Sequence, residues 1–338
     1  HTQLLLAPAI QNFAEKFVVS GPNQSYSNLR GTTDADEFRL RLLTDSERTE
    51  RTEQAIVTHF CEDQWAPGAL ALGASLKKAG CKHNLVVMIT SNVNSRYQQL
   101  LSHVFDKVYF EEPVTPHASI TRPGADCVTL QLRSWQLPYR KVLYMDADMI
   151  ALKSHDILLE NFAELSARAE VGIEGQFNGG MFLLEPAEWK FQRLRFGLRQ
   201  LEPDSTGNRG IQSFLNKAFP SCREPPAHPQ LKVGCWMAGF PEEYNKFTRN
   251  VTNVSELSSG KYATLHYSGD WEAKHKPWMS GCLESSDAVT NVSDTGSILQ
   301  SKLLQFWMDA FHAVSAPSDL ADLLRTDCPF EAVPSRGS

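Results

Sequence analysis

No stretch of this 338-residue chain is apolar for long enough to cross a membrane, and none is a long run of Lys or Arg. Residues 1–10 lack the basic region and the length of a secretory signal. The formal net charge is −6, which disfavours nucleic acid as the main partner. The seven cysteines (61, 81, 127, 222, 235, 282 and 328) include no Cys-x-x-Cys pair, which argues against a structural zinc site. No Gly-x-Gly-x-x-Gly follows the first β-prone run, so a dinucleotide cofactor is disfavoured. Internal repeats and low-complexity tracts are absent too. What is present is ordinary globular composition, 42% hydrophobic and 21% charged, enough for one large domain or two small ones.

The organising stretch is Lys141-Val-Leu-Tyr-Met-Asp-Ala-Asp-Met-Ile-Ala-Leu152. Residues 142–145 are apolar on both parities, which predicts a strand buried on both faces. Asp146 and Asp148 follow at once. Unpaired carboxylates do not fill cores, because burying their charge is costly. In an open α/β sheet, ligands bind at the C-terminal edge of the strands. Two oxygen donors one residue apart can address one hard cation, which in turn can hold a diphosphate. The competing reading is a solvated turn with two aspartates.

Around this strand the pattern alternates. Ala55–Thr58 predicts a strand, 68–80 a helix stopped by Gly80, and 84–90 a strand. Residues 95–104 predict a helix, 105–110 a third strand, and 128–137 a helix leading into the organising strand. This β-α-β-α-β rhythm predicts a Rossmann-like sheet. Further strands are expected at 171–174, 177–186 and 262–269, and helices at 187–201, 208–219 and 297–314. Residues 1–50 have no sustained period and read as an N-terminal stem or packed arm. Residues 51–315 read as the domain proper and 316–338 as a tail.

Four Asn-x-Ser/Thr tripeptides, at Asn23, Asn250, Asn253 and Asn291, lean towards a secretory compartment. There the cysteines would form up to three disulfides with one left over. A cytosolic protein with reduced thiols is the alternative. Since the sequence begins at His1, a membrane anchor outside these residues is compatible with it.

Four stretches taken together resemble the glycogenin-like retaining glycosyltransferases, family 8, of GT-A fold. They are Gly68-Ala-Leu-Ala-Leu-Gly-Ala-Ser-Leu, Val142-Leu-Tyr-Met-Asp-Ala-Asp148, Phe177-Asn-Gly-Gly-Met-Phe-Leu-Leu-Glu-Pro186, and Leu265-His-Tyr-Ser-Gly269 with Lys276-Pro-Trp278. The resemblance covers about residues 54–280. It implies a mixed GT-A sheet flanked by helices in a single catalytic domain. It also implies a UDP-sugar donor, with Mn²⁺ held by Asp146, Asp148 and His266, a ligand set that suits Mn²⁺. Asp148 would thereby take part in catalysis, and Lys276 would add a second cation to the diphosphate. For His266 taken alone, a satisfied core histidine is the competing reading.

The resemblance further implies a donor pocket lined by Thr58, Trp65, Arg122, Asp146, Ala147, Asn178, Gly179, Gly180 and Gly269. Thr58 would end the first strand, and Trp65 would stack on the base, with packing under the loop as its alternative. Gln131 stands where the family pattern has a lysine. Aligned on Leu215-Asn216, Gln212 matches the family's glutamine, but Ile211 replaces its aspartate. Asp204 lies near in sequence. Without that aspartate the expectation is front-face transfer, with Gln212 steadying the anomeric carbon. The acceptor would be a hydroxyl of a glycan, protein or lipid. The expected setting is the secretory lumen, in the Golgi, as a type II membrane protein when anchored. A catalytically weak nucleotide-sugar-binding or scaffolding relative is the alternative.

Overall fold

The computed structural model describes residues 53–115, 125–200, 210–223, 225, 228, 231–268, 276–278 and 295–314. The expected arm at 1–50 and tail at 316–338 lie outside the described residues, as do Arg122, Asp204, Gly269, Asn23 and Asn291.

Strand β1 (Gln54–Phe60) leads through a 3-10 turn (Asp63–Trp65) into helix α1 (Ala66–Lys78). Gly80 ends that helix in the left-handed region, with φ 79, which a side chain would resist. Strand β2 (Asn84–Ile89), helix α2 (Ser95–Val104) and strand β3 (Lys107–Phe110) follow. Asn94 caps α2, its side-chain oxygen accepting from the Arg96 N–H at 2.9 Å. The helix expected at 128–137 is instead a 3-10 helix, Thr129–Gln136, after one α-turn at Ala125–Val128.

Strand β4 (Lys141–Met145) is the organising strand, and three residues separate it from β5 (Met149–Ala151). Then come helix α3 (Asp156–Asn161), β6 (Ser166–Ala169), β7 (Phe177–Leu184), helix α4 (Glu188–Gln200) and helix α5 (Gly210–Ala218). The last elements are β8 (Met237–Ala238), β9 (Lys246–Phe247), helix α6 (Val254–Ser258), β10 (Thr264–His266) and helix α7 (Thr295–Phe311).

Among the described residues the strands form two sheets, in the orders β3-β2-β1-β4-β7-β6-β8 and β5-β10-β9. From β3 to β4 the larger sheet is parallel, and β7 enters antiparallel to both β4 and β6. This is the expected mixed GT-A sheet, with helices on both faces. Residues along each central strand alternate between two cores. Ile56, Leu143, Met145, Met181 and Leu183 join the core that includes α1 and α2. Val57, Val142, Tyr144, Phe182 and Leu184 join the one that includes Leu194 and Phe214. Each of these large apolar side chains stabilises by about 1.5–3 kcal/mol on full burial. Two-sided burial is why β4 reads as an unbroken apolar run.

Two expectations need correction. Residues 171–174 are not a strand. Gly172 and Gly175 adopt left-handed backbone, with φ 81 and 73, and turn the chain between β6 and β7. Thr58 does not end β1, because the strand runs on to Phe60 and takes Thr58 inside, opposite Val87. Two disulfides are present among the described residues. Cys61–Cys127 fastens the end of β1 to the turn before the 3-10 helix, and Cys222–Cys235 closes a local loop. Cys81 is not disulfide-bonded, and Cys282 and Cys328 lie outside the described residues.

Candidate active site

Strand register assembles the site. Met145 pairs with Met181 across β4 and β7, so Asp146 emerges beside Gly180, and its N–H donates to the Gly180 carbonyl at 2.8 Å. Residues 146–148 form the crossing between the two sheets. Immediately after them, Met149 pairs with His266 across β5 and β10, and the Tyr267 N–H donates to the Asp148 carbonyl at 2.9 Å. Two pairings therefore place a glycine against one aspartate and a histidine against the other. Gly180 has to be glycine. A Cβ there would lie 2.6 Å from His266 Cε1 and 2.7 Å from Asp146 Oδ2. Gly68 meets a like constraint, since its Cβ would sit 2.6 Å from the Ala147 carbonyl oxygen and 2.7 Å from the Trp278 ring.

Donor atoms of Asp146, Asp148 and His266 all lie within 4.8 Å of one another. His266 Nε2 is 3.1 Å from Asp148 Oδ1 and 4.0 Å from Asp146 Oδ2. The Lys276 ammonium is ion-paired to the other Asp148 oxygen and donates to the Tyr267 carbonyl at 2.7 Å. Asp148, His266 and Lys276 are buried, while Asp146 is half-buried. Burial and the neighbouring Asp148 carboxylate push Asp146 up to about 6. Burial also opposes the charge on Asp148, but Lys276 and His266 outweigh it and hold this carboxyl well below the usual range. The Tyr144 hydroxyl donates to Asp146 Oδ1 at 2.7 Å and lies 2.8 Å from His59 Nδ1. Burial lowers His59 to about 4, so it is neutral at physiological pH.

The neighbouring end of the site is built from amides. Gln212, on α5, accepts from the Gly179 N–H at 2.9 Å and donates to Glu170 Oε2 at 2.9 Å. Asn178 donates to that same Glu170 oxygen at 2.9 Å and accepts from the Gly180 N–H at 3.0 Å. Gln131 is buried and donates to the Gly179 carbonyl at 2.8 Å, so the residue in the lysine's place braces the glycine pair. Ile211 is half-buried and packs on the second core, a packing role that fits an apolar residue.

The sequence-predicted residues thus divide into groups. Asp146, Ala147, Asp148, His266, Lys276, Asn178, Gly179, Gly180 and Gln212 come together. Trp65 is half-buried on the Lys276–Trp278 side. Its ring centroid lies 6.1 Å from that of Trp278 in an edge-on contact, with the Lys276 ammonium 5.7 Å from its own. Thr58 is buried with its hydroxyl unpartnered, one residue before His59. Arg122 and Gly269 lie outside the described residues. Sequence reasoning missed Glu170, Tyr144, His59 and Asn245. Tyr144 stood in plain view two residues before Asp146, but it reads as core.

No family model matches the chain. It is 27% identical over 274 residues to glycogenin-1 of Mus musculus, covering 77% of this chain and 76% of that protein. It is 26% identical over 226 residues to a putative UDP-glucuronate:xylan alpha-glucuronosyltransferase 3 of Arabidopsis thaliana, covering 67% of this chain and 34% of that one. Among solved structures, the apo form of the glycosyltransferase GlyE of Streptococcus pneumoniae matches with a TM-score of 0.50 at 15% identity. That match covers 81% of this chain and 62% of that chain, and it shows the fold alone.

Proposed function

We propose that this chain is a retaining glycosyltransferase related to the glycogenins. It moves a hexose or hexuronate from a UDP-sugar to a hydroxyl of a glycan, protein or lipid. The observation that carries this reading is the contact between His266 and Asp148. His266 Nδ1 lies 2.7 Å from the side-chain oxygen of Asn245, so that nitrogen holds the proton and Nε2 is left as an acceptor. Nε2 then faces Asp148 Oδ1 at 3.1 Å, and that oxygen has no hydrogen-bond donor. A cation or a shared proton has to reconcile two acceptors that close.

Two carboxylates and one imidazole, with a glycine leaving room beside them, fit Mn²⁺ well. When bound, the cation would act as a Lewis acid towards the departing diphosphate. Asp146, Asp148 and His266 would hold it, and Lys276 would offer a second positive charge to the phosphates. Trp65, beside Lys276, would meet the base. Asn178 and the Gly179-Gly180 backbone would line the sugar.

No carboxylate is placed as a nucleophile among the described residues of the amide end. Glu170 is the carboxylate bonded to Gln212, and it already accepts from two amides. Both amides bond to its Oε2, and its Oε1 accepts from the Val171 N–H at 3.1 Å, contacts that hold the carboxylate in place and favour front-face transfer. In that scheme the acceptor hydroxyl forms its bond to the anomeric carbon on the face the UDP leaves. The bond from that carbon to phosphate oxygen breaks, and the hydroxyl proton passes to the departing phosphate. Gln212 steadies the positive charge electrostatically.

The alternative is a nucleotide-sugar-binding relative with little turnover, favoured by Ile211 in the aspartate's place. Release of UDP from a panel of UDP-sugars with Mn²⁺ decides between them. Turnover of at least one donor is expected; binding of UDP without release from any donor would select the alternative.

The Golgi lumen is the proposed compartment. Two disulfides and an exposed Asn253 support it. An N-glycan-removing enzyme should lower the mass of protein from its native source. An unglycosylated, fully reduced protein would count against this assignment.

A further inference from the structure

We propose that Asn245 is a positioning residue that fixes the tautomer of His266 and thereby points its Nε2 lone pair at Asp146 and Asp148. The inference rests on the metal reading above for its ligand half, but the tautomer half stands on hydrogen bonds alone.

Two groups beside Asn178 have unambiguous hydrogen-bonding roles. A backbone N–H can only donate, and a carboxylate oxygen among amides accepts. Asn178 lies between one of each. The Gly180 N–H reaches its side-chain oxygen at 3.0 Å, and its side-chain nitrogen reaches Glu170 at 2.9 Å. Its amide therefore has one orientation. Asn245 meets that same Asn178 oxygen at 2.9 Å and must present its NH₂ there. Its own oxygen is left to face His266 Nδ1 at 2.7 Å. Only a protonated Nδ1 completes that contact. In neutral imidazole the proton is then absent from Nε2, the nitrogen 3.1 Å from Asp148 Oδ1.

Backbone and burial support a dedicated role. Asn245 is fully buried and has φ 58, the left-handed region that Asn tolerates and most side chains do not. It immediately precedes β9, whose Phe247 pairs in register with His266 across the smaller sheet. The chain thus accepts an uncommon backbone conformation at the one place where an amide can bridge Asn178 and His266.

The test uses the whole chain labelled with ¹⁵N-histidine, metal-free at pH 8, together with Mn²⁺ titrations. In the wild type, His266 should show a protonated Nδ1 and a bare Nε2. Asn245→Gly keeps the left-handed backbone available and removes both the acceptor facing Nδ1 and the donor facing Asn178. It should leave His266 in mixed tautomers and weaken Mn²⁺ binding about 10- to 100-fold, as loss of such an orienting partner does. Asn245→Asp returns the acceptor to Nδ1 but sets its second oxygen against the Asn178 oxygen, so it should recover the protonated Nδ1 and only part of the affinity. Unchanged tautomer and Mn²⁺ affinity in Asn245→Gly would overturn the proposal. Failure of Asn245→Asp to recover the protonated Nδ1 would assign the effect to packing and overturn it as well. A wild type with the Nδ1–H tautomer but no Mn²⁺ binding would overturn the metal reading and leave the tautomer half supported.

Discussion

At one end of the site, Asp146, Asp148 and His266 bring acceptors together that need a cation or a shared proton between them. At the other, Glu170, Asn178 and Gln212 bond to one another before any ligand arrives, and Gln131 donates to the Gly179 carbonyl while its own side-chain oxygen has no hydrogen-bond partner. The first end sets acceptors against each other, whereas the second is bonded apart from the Gln131 oxygen. A bonded polar network rigidifies its surroundings, whereas converging acceptors create a demand that a ligand meets. Substitutions at the charged end should therefore act first on binding, and those at the amide end on rate and stability.

The sharpest attempt to break this contrast is Asp148→Asn. Loss of Mn²⁺-dependent UDP binding is expected, read by titration calorimetry. Stability should also fall by about 3 kcal/mol, because Asp148 and Lys276 are a buried ion pair that the substitution breaks. Denaturant unfolding checks that second effect. Unchanged UDP affinity would mean that the charged end is no cation site.

Next in size is Gln212→Ala. It should lower kcat about ten- to a thousandfold, with donor affinity little changed, as for loss of one preorganised polar group. Ile211→Asp, one residue away, should instead cost stability without raising the rate, since Ile211 packs against the second core. Transfer switched on by Ile211→Asp in a protein otherwise inactive on every donor would refute front-face transfer for this chain.

The smallest effect concerns pH. Asp146 sits at about 6, raised by burial and by Asp148. A cation needs the carboxylate, so below pH 6 its binding must expel this proton, and well above pH 6 there is none to expel. Through this group Mn²⁺ affinity should fall about fivefold from pH 6 to pH 5, approach tenfold per unit at lower pH, and change about twofold between pH 6 and 7. Titrations at pH 5, 6, 7 and 8 would show it. A flat response between pH 5 and 6 would remove Asp146 from the ligand set.

The sequence carried one end of the site better than the other. A buried strand running into two aspartates has few physical explanations, and the C-terminal end of β4 and the position of His266 followed from local pattern and resemblance. The amide end depends on pairing between distant segments. Glu170 lies between β6 and β7, in a turn whose glycines at 172 and 175 were available as a signal against the strand expected there. Asn245 had no local signal at all. Its importance comes from the register of β9 on β10, which a short polar segment does not announce. Tyr144 was hidden for the opposite reason, since an aromatic inside an apolar strand looks like packing even when its hydroxyl faces a carboxylate.

The Cys61–Cys127 bridge bears on how the protein can be made. The two cysteines are 66 residues apart, and the loop they close contains all of β2, α2 and β3. In the chain-entropy picture a tether of that span limits the unfolded ensemble by about 4 kcal/mol. That is a large share of the 5–15 kcal/mol by which folded proteins are usually stable. A host whose cytosol keeps thiols reduced would synthesise the same polypeptide without that restraint. Material from such a host would report on a weakened scaffold, and low yield or poor activity there would say little about the catalytic groups themselves.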